Sequence, residues 1–266
     1  MNAAIALGGQ AYAYREAGTG TPLVLLHGWS GSADNFAQWL PVLTPRYRVL
    51  VPNLPGCAGS PPLAERHTVA AYARFAAEFM DALSLPHALV GGLCSGASIA
   101  MSLAAAQPAR VDALLLHTPF FHPSVIRPTM RAQLALLGTP AGAIYDVLRR
   151  NTFLANLYRR FTDGGTGIAP EEEERNRRNL AVADPRAARE LAVDLVRLDH
   201  RALLHGWTKP LHVIVADADA FVLVDSFRRQ LLEVAPRADL HMLVGGHGWT
   251  PAYLAQQAAA LNAFAA

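Results

Sequence analysis

Short apolar runs rich in β-forming residues recur along the chain, separated by segments of helical spacing, and no other feature restricts the fold as tightly. The runs are Leu23–Leu26, Tyr47–Val51, His87–Val90, Val111–Leu116, Leu211–Val215 and Leu240–Val244. Several are continuous rather than alternating, the pattern of strands covered on both faces. Between the runs, Thr68 stands as an N-cap ahead of Val69, Tyr72, Phe75, Phe79 and Leu83, which are spaced by 3, 3, 4 and 4 residues. Parallel neighbours need a crossover, and a helix supplies one. The alternation therefore predicts an α/β protein with a mostly parallel, doubly wound sheet.

One stretch breaks the rhythm. From Phe120 to Thr208 no strand pattern stands out, only helical segments punctuated by Pro128, Pro140, Gly164-Gly165 and Pro185. This predicts a helical cap over residues 120–208, inserted into a single core made of residues 1–119 and 209–266. The acidic run Glu171–Glu174, followed by Arg175, Arg177 and Arg178, reads as a surface helix with acids in its first turn and a solvated charged face.

Composition excludes several classes of protein. With 52% hydrophobic and 17% charged residues the chain is not disordered, and 23 Lys+Arg against 21 Asp+Glu is too balanced for a nucleic-acid binder. No apolar run approaches the roughly 18 residues of a membrane span. Cys57 and Cys94 are too few for a disulfide framework, and the start MNAAIALGG lacks the basic region of a signal peptide. The expectation is a cytoplasmic protein; its oligomeric state is not readable.

The most informative segment is Leu89-Val90-Gly91-Gly92-Leu93-Cys94-Ser95-Gly96-Ala97. A β run ends and a small-residue helix (Ser95 to Gln107) begins, with Gly92-x-Cys94-x-Gly96 between them. This is the G-x-S-x-G pattern of a strained strand-to-helix turn, with cysteine at the nucleophile position. A side chain two residues either side of such a turn would collide. The helix start brings free N–H groups and a positive dipole end that favour negative charge beside the sulfur. Two other readings compete. Ser95 could be the nucleophile, in a register that loses both glycines, or Cys94 could be an inert buried thiol.

Leu25-Leu26-His27-Gly28-Trp29, Asp34-Asn35-Phe36 with Trp39-Leu40, and Val51-Pro52-Asn53-Leu54-Pro55-Gly56 with Gly59-Ser60 complete a pattern that resembles the α/β-hydrolase superfamily over nearly the whole chain. Asn53, where the family usually has Asp, and Cys57 depart from that pattern. The resemblance implies an oxyanion hole from the backbone N–H groups of Trp29 and Ser95, and substrate contacts at His27, Gly28, Phe120, Phe121 and Trp249. It implies an acid and a histidine in that order. Lys209–Ala216 runs into Asp217-Ala218-Asp219, and the family places the acid three residues past the strand, which favours Asp219 over Asp217. Val244-Gly245-Gly246-His247-Gly248 matches the glycine-flanked histidine, 28 residues beyond Asp219. Of the other histidines, His117 reads as packed core able to line a pocket, and His67 and His87 as surface or turn residues. No group shows metal-ligand spacing and no phosphate-binding glycine loop appears, so no metal or cofactor is expected.

Dienelactone hydrolases and polyester synthases of this superfamily use cysteine at the turn, whereas the small capped carboxylesterases that this chain is more similar to carry serine. The implied activity is cofactor-independent cleavage of an ester, lactone or thioester through Cys94, His247 and Asp219. An acyltransferase or cyclase using the same residues, and a catalytically silent ligand-binding protein, are the alternatives. Cap residues Phe120, Phe121, Ile126, Met130, Leu134, Leu137, Ile144, Tyr145, Phe153, Leu157 and Phe161 would form cap core and cleft wall. Arg149, Arg150, Arg159 and Arg160 could meet a carboxylate or an acidic carrier protein that delivers the acyl group.

Overall fold

The computed structural model describes residues 2–143, 151 and 168–265. Of the readings above, those on Ile144, Tyr145, Arg149, Arg150, Phe153, Leu157, Arg159, Arg160, Phe161 and Gly164-Gly165 lie outside the described residues.

The strands are β1 (Asn2–Leu7), β2 (Gln10–Ala17), β3 (Thr21–Leu26), β4 (Tyr47–Pro52), β5 (Ala88–Leu93), β6 (Val111–His117), β7 (Leu211–Ala216) and β8 (Asp239–Leu243). They form one sheet in the order β1-β2-β4-β3-β5-β6-β7-β8, antiparallel at β1/β2 and β2/β4 and parallel elsewhere. All six expected runs are strands. The β1–β2 hairpin was not among the expected elements. Its two-residue turn is Gly8-Gly9, with φ of +55° and +77°, the left-handed region that favours glycine.

The helices are α1 (Leu40–Leu43), α2 (Val69–Ala82), α3 (Ser95–Ala106), α4 (Pro128–Leu136), α5 (Pro170–Val182), α6 (Pro185–Leu195), α7 (Arg201–Gly206), α8 (Val224–Val234) and α9 (Pro251–Ala265). Thr68 caps α2 as expected, its hydroxyl accepting the Ala71 N–H. On β3, Val24 and Leu26 join a cluster with Tyr72, Phe79 and Ile99, while Leu23 and Leu25 join one with Trp39, Tyr253 and Phe264. Both sheet faces are thus covered, which is why the strand is apolar at every position.

Between β6 and β7 the described residues are helical or irregular apart from one antiparallel bridge, Ile126 to Val222. Four contacts hold α6 and its N-cap residue Asp184 against the core. The Trp29 indole N–H donates to Ala188 O (2.8 Å), and the His67 N–H donates to Glu190 (2.8 Å). The Val69 N–H donates to Asp194 (2.7 Å), and the Asp184 N–H to Gly56 O (2.8 Å). Two readings need correction here. His67 is fully buried rather than superficial, its Nδ1 2.8 Å from the Tyr72 hydroxyl. The charged face of α5 is solvated only in part: Glu174 and Arg177 pair in the open, but Glu172 and Arg175 are buried. Three-residue spacing brings the members of each pair together, and the side of α5 they occupy decides which pair is buried.

Candidate active site

β5 delivers the chain to Cys94, and α3 leaves it. Cys94 has φ +52° and ψ −113°, a conformation outside the usual regions that costs about 1–3 kcal/mol. Its N–H donates to His117 O on β6 (2.8 Å), and its carbonyl accepts from Ala97 and Ser98 to open α3. The glycines are dictated by approach rather than by φ. A Cβ on Gly92 would lie 2.3 Å from the Gly96 carbonyl carbon, and one on Gly96 would lie 2.0 Å from Leu26 O. The Gly28 loop packs against the turn less tightly, a Cβ there lying 3.3 Å from Leu93 O and 3.6 Å from the Cys94 Cβ. Ser95, the competing nucleophile, is fully buried and absent from the cavity wall.

Asp219 and His247 are brought together from loops after β7 and β8. His247 Nδ1 donates to Asp219 Oδ2 at 2.8 Å. The carboxylate is fully buried, and its Oδ1 accepts the Phe221 and Val222 N–H groups (2.7 and 3.2 Å). Thr118 Oγ1 adds a bond of 3.4 Å to Oδ2, while the Arg127 guanidinium donates to the Asp219 backbone oxygen at 3.3 Å. Sequence reasoning missed Thr118, Phe221 and Arg127, which no motif marks. Asp217 instead accepts the Gly245 N–H (2.9 Å), so it ties the histidine loop to the end of β7.

Burial alone would raise the Asp219 pKa, but His247 opposite and the hydrogen bonds to Oδ1 outweigh it and hold the carboxyl below its ordinary range. Burial likewise works against a charged His247. The facing Asp219 carboxylate and hydrogen bonds to Asp219 and Cys94 overcome it and raise the imidazole well above its ordinary value. Phe221 packs on the ring with centroids 3.9 Å apart. Cys57 is a buried thiol pushed up to about 12 by desolvation, with Asp184 adding to the shift.

Cys94 and His247 line a cavity of about 220 Å³ among the described residues. Gly28, Trp29, Phe120, Met130, Leu134 and Trp249 are among its lining residues. His27 and Phe121 are not. Phe121 is fully buried against Phe227. His27 lies beneath the loop, its Nε2 accepting the Leu54 N–H and its Nδ1–H donating to Gly28 O, both at 2.9 Å. Burial keeps it neutral by lowering its pKa to about 4. His117 does touch the cavity, yet burial lowers it to about 3, with His247 adding to the shift, and its Nε2 meets Tyr253 Oη and Gln257 Nε2 (2.9 and 3.0 Å). Asn53, in the position usual for Asp, accepts the Ala33 N–H (2.8 Å) and so still braces the loops.

One group of possible metal ligands escaped the sequence because its members lie on different strands. His212, Asp239 and His241 have ligand atoms within 4.8 Å of one another at the start of β7 and along β8. Both imidazoles hydrogen-bond the one carboxylate, at 2.9 and 3.0 Å, which accounts for the cluster without an ion. It lies at the other end of the strands from Cys94. No helix of the described residues is long and apolar enough to cross a membrane.

This frame of a mostly parallel sheet, with a thiol, an imidazole and a carboxylate at its strand ends, agrees with the comparisons. The alpha/beta hydrolase fold family matches residues 21–177, and the chain belongs to that family. The RutD protein of Caulobacter sp. strain K31, named as a carbamate hydrolase, is 31% identical over 231 residues, covering 86% of this chain and 84% of that one. A dihydrolipoyllysine-residue acetyltransferase component of an acetoin cleaving system from Cupriavidus necator is 34% identical over 105 residues, 40% of this chain. The match spans only 28% of that relative's length. A thermophilic esterase from Thermogutta terrifontis superposes with a TM-score of 0.76 at 21% identity over 100% of this chain and 97% of that one, which shows the shared fold. By family the protein is an enzyme of the hydrolase class.

Proposed function

We propose that this hydrolase cleaves an ester, lactone or thioester through a covalent acyl-enzyme on Cys94, with His247 as base and acid and Asp219 as its partner. The reading is supported by the 2.8 Å bond from His247 Nδ1 to Asp219 Oδ2 and by the place of His247 and Cys94 together on one cavity wall.

With Nδ1–H committed to Asp219, Nε2 of His247 is the nitrogen left to exchange a proton with Cys94, and the Asp219 carboxylate favours its holding that proton. Nε2 removes the Cys94 proton as Sγ attacks the substrate carbonyl. The oxyanion is met by the backbone N–H groups of Trp29 and Ser95, the latter at the positive end of α3. One such donor is worth about 2.7–4 kcal/mol. Collapse expels the alcohol or thiol, which takes the proton from Nε2. Water, deprotonated by the same nitrogen, attacks the thioester and releases the acid, and Sγ regains its proton. Asp219 keeps the ring in the working tautomer and stabilises its charged form throughout. Among the described residues, α4, α5 and α6 act as the cap side of the cleft through Met130, Leu134, Leu180 and Leu195. No step calls for a cofactor.

The test is intact mass after mixing the protein with short acyl esters and acyl thioesters. A transient adduct mapping to Cys94 and absent from Cys94→Ala is expected. An adduct on Ser95, or turnover unaffected by Cys94→Ala, would overturn the assignment. Discharge by an added amine or thiol faster than by water would make the enzyme an acyltransferase with the same triad.

A further inference from the structure

Away from the sulfur the cavity wall changes character. Met130, Leu134, Leu195 and Phe221 make it apolar, but α5 turns Glu172 and Asn176 into the same space. Four residues apart, they share one face of the helix. Glu172 is the one acidic side chain among the described cavity residues and is only 5% exposed. Its partner Arg175 is 6% exposed and lies behind it, outside the cavity wall. The Arg175 Nε has no hydrogen-bond partner among the described residues. Asn35 steadies the neighbouring amide, its Nδ2 3.4 Å from Asn176 Oδ1.

A buried ion pair is a poor stabiliser, and packed apolar residues of like volume serve a fold as well or better. Its position at a substrate cavity therefore calls for another account. The pair is neutral overall, yet what faces the cavity is the acceptor half. An apolar acyl chain leaves that acceptor unmatched, and a carboxylate is repelled by it. A cation finds its charge already balanced by Arg175.

We infer that Glu172, with Asn176 beside it, receives a neutral hydrogen-bond donor on the substrate, a hydroxyl or an amide N–H, and so selects hydroxylated or amide-bearing acyl esters over plain alkyl ones. This rests on the acyl-cleavage reading for its turnover arm only. A hydrogen bond to a charged acceptor sets a preference of roughly 10- to 100-fold.

Matched esters that differ only by a hydroxyl or an acetamido group, placed on the acyl or the alcohol part in a series of chain lengths, provide the test. Binding is read in Cys94→Ala protein from the fluorescence of Trp29 and Trp249, which line the cavity. Turnover is read as relative kcat/KM in the unaltered enzyme. A preference of tenfold or more for one donor-bearing series is expected, falling toward parity in Glu172→Gln. Removing the carboxylate alone strands a buried guanidinium, so a Glu172→Leu/Arg175→Met double variant, its fold checked by thermal melting, gives a second measurement of the same loss. No preference at any chain length, or one that survives both substitutions, overturns the assignment. If Cys94 proves not to be acylated, the binding arm still decides the matter.

Discussion

Replacing Asp219 with asparagine removes one charge and leaves the shape, so the consequence follows from hydrogen bonding alone. Oδ1 is pinned by two buried backbone donors, Phe221 N–H at 2.7 Å and Val222 N–H at 3.2 Å. The new amide must therefore keep its oxygen there and turn its NH₂ toward His247 Nδ1, 2.8 Å away. The imidazole then accepts at Nδ1 and carries its proton on Nε2, facing Cys94, where it cannot act as a base. Flipping the amide would restore the working tautomer but strand two buried N–H groups at about 1–3 kcal/mol each. The productive form is thus disfavoured by about 2–6 kcal/mol, and kcat/KM should fall roughly 30-fold to 10⁴-fold with the fold intact. The assay is hydrolysis of an activated short-chain ester, with thermal melting as the control. Asp217→Asn is the comparison, since its amide oxygen can still accept the Gly245 N–H, and its rate should stay within a few fold. An Asp219→Asn enzyme within tenfold of the original, or a greater loss in Asp217→Asn, would refute the reasoning.

Gly96→Ala drives a methyl into Leu26 O and His27 O, at 2.0 and 2.5 Å, both backbone atoms of the β3 end. It should cost about 1–3 kcal/mol of stability by urea unfolding and displace the α3 N-terminus enough to lower kcat. Trp29→Phe loses the bond to Ala188 O, and chemical denaturation should register about 1 kcal/mol. Buried His117 and His27, held near 3 and 4, are neutral in the fold but protonated in the unfolded chain below about pH 6.5. Their share of stability is complete above that pH and is lost as pH falls toward their folded values. Near pH 5, unfolding should take up almost two protons from this pair, a slope of about 2.7 kcal/mol per pH unit. His117→Gln should reduce that slope by about half, and an unchanged slope would show that His117 is not the source. Asp219 and His247 work in opposite directions. The lowered carboxyl contributes above about pH 4 and the raised imidazole below about pH 6.5, so their pairing is strongest between those values and should weaken on either side. Comparing the pH dependence of stability with and without Asp219→Asn checks this.

Most of the sheet and the turn that carries Cys94 are legible in the sequence, for a local reason. A strand covered on both faces must be apolar at every residue, as Leu23–Leu26 is, and a turn as tight as that at Cys94 tolerates only glycine two residues away. Such constraints act within a few residues and leave their mark in the spacing. The β1–β2 hairpin left the same kind of mark, Gly8-Gly9 between alternating runs, and went unread.

Other features had no local signature. Whether Asp217 or Asp219 faces His247 depends on where β8 returns the chain beside β7. Glu172 and Arg175 look like any exposed charged pair until α5 is laid over the cavity, and His67 looks superficial until Tyr72 and α6 close around it. His27 belongs to the oxyanion-loop motif, but its ring serves the backbone of Leu54 and Gly28 rather than a ligand. The chain's own order of residues thus determined the strands, the strained turn at Cys94 and the glycines around it, because short-range sterics and solvent exclusion act on neighbours in sequence. Tertiary structure alone decided which carboxylate pairs, which charges are buried and what the cavity wall presents, because those depend on distances between segments that the chain brings together only when folded.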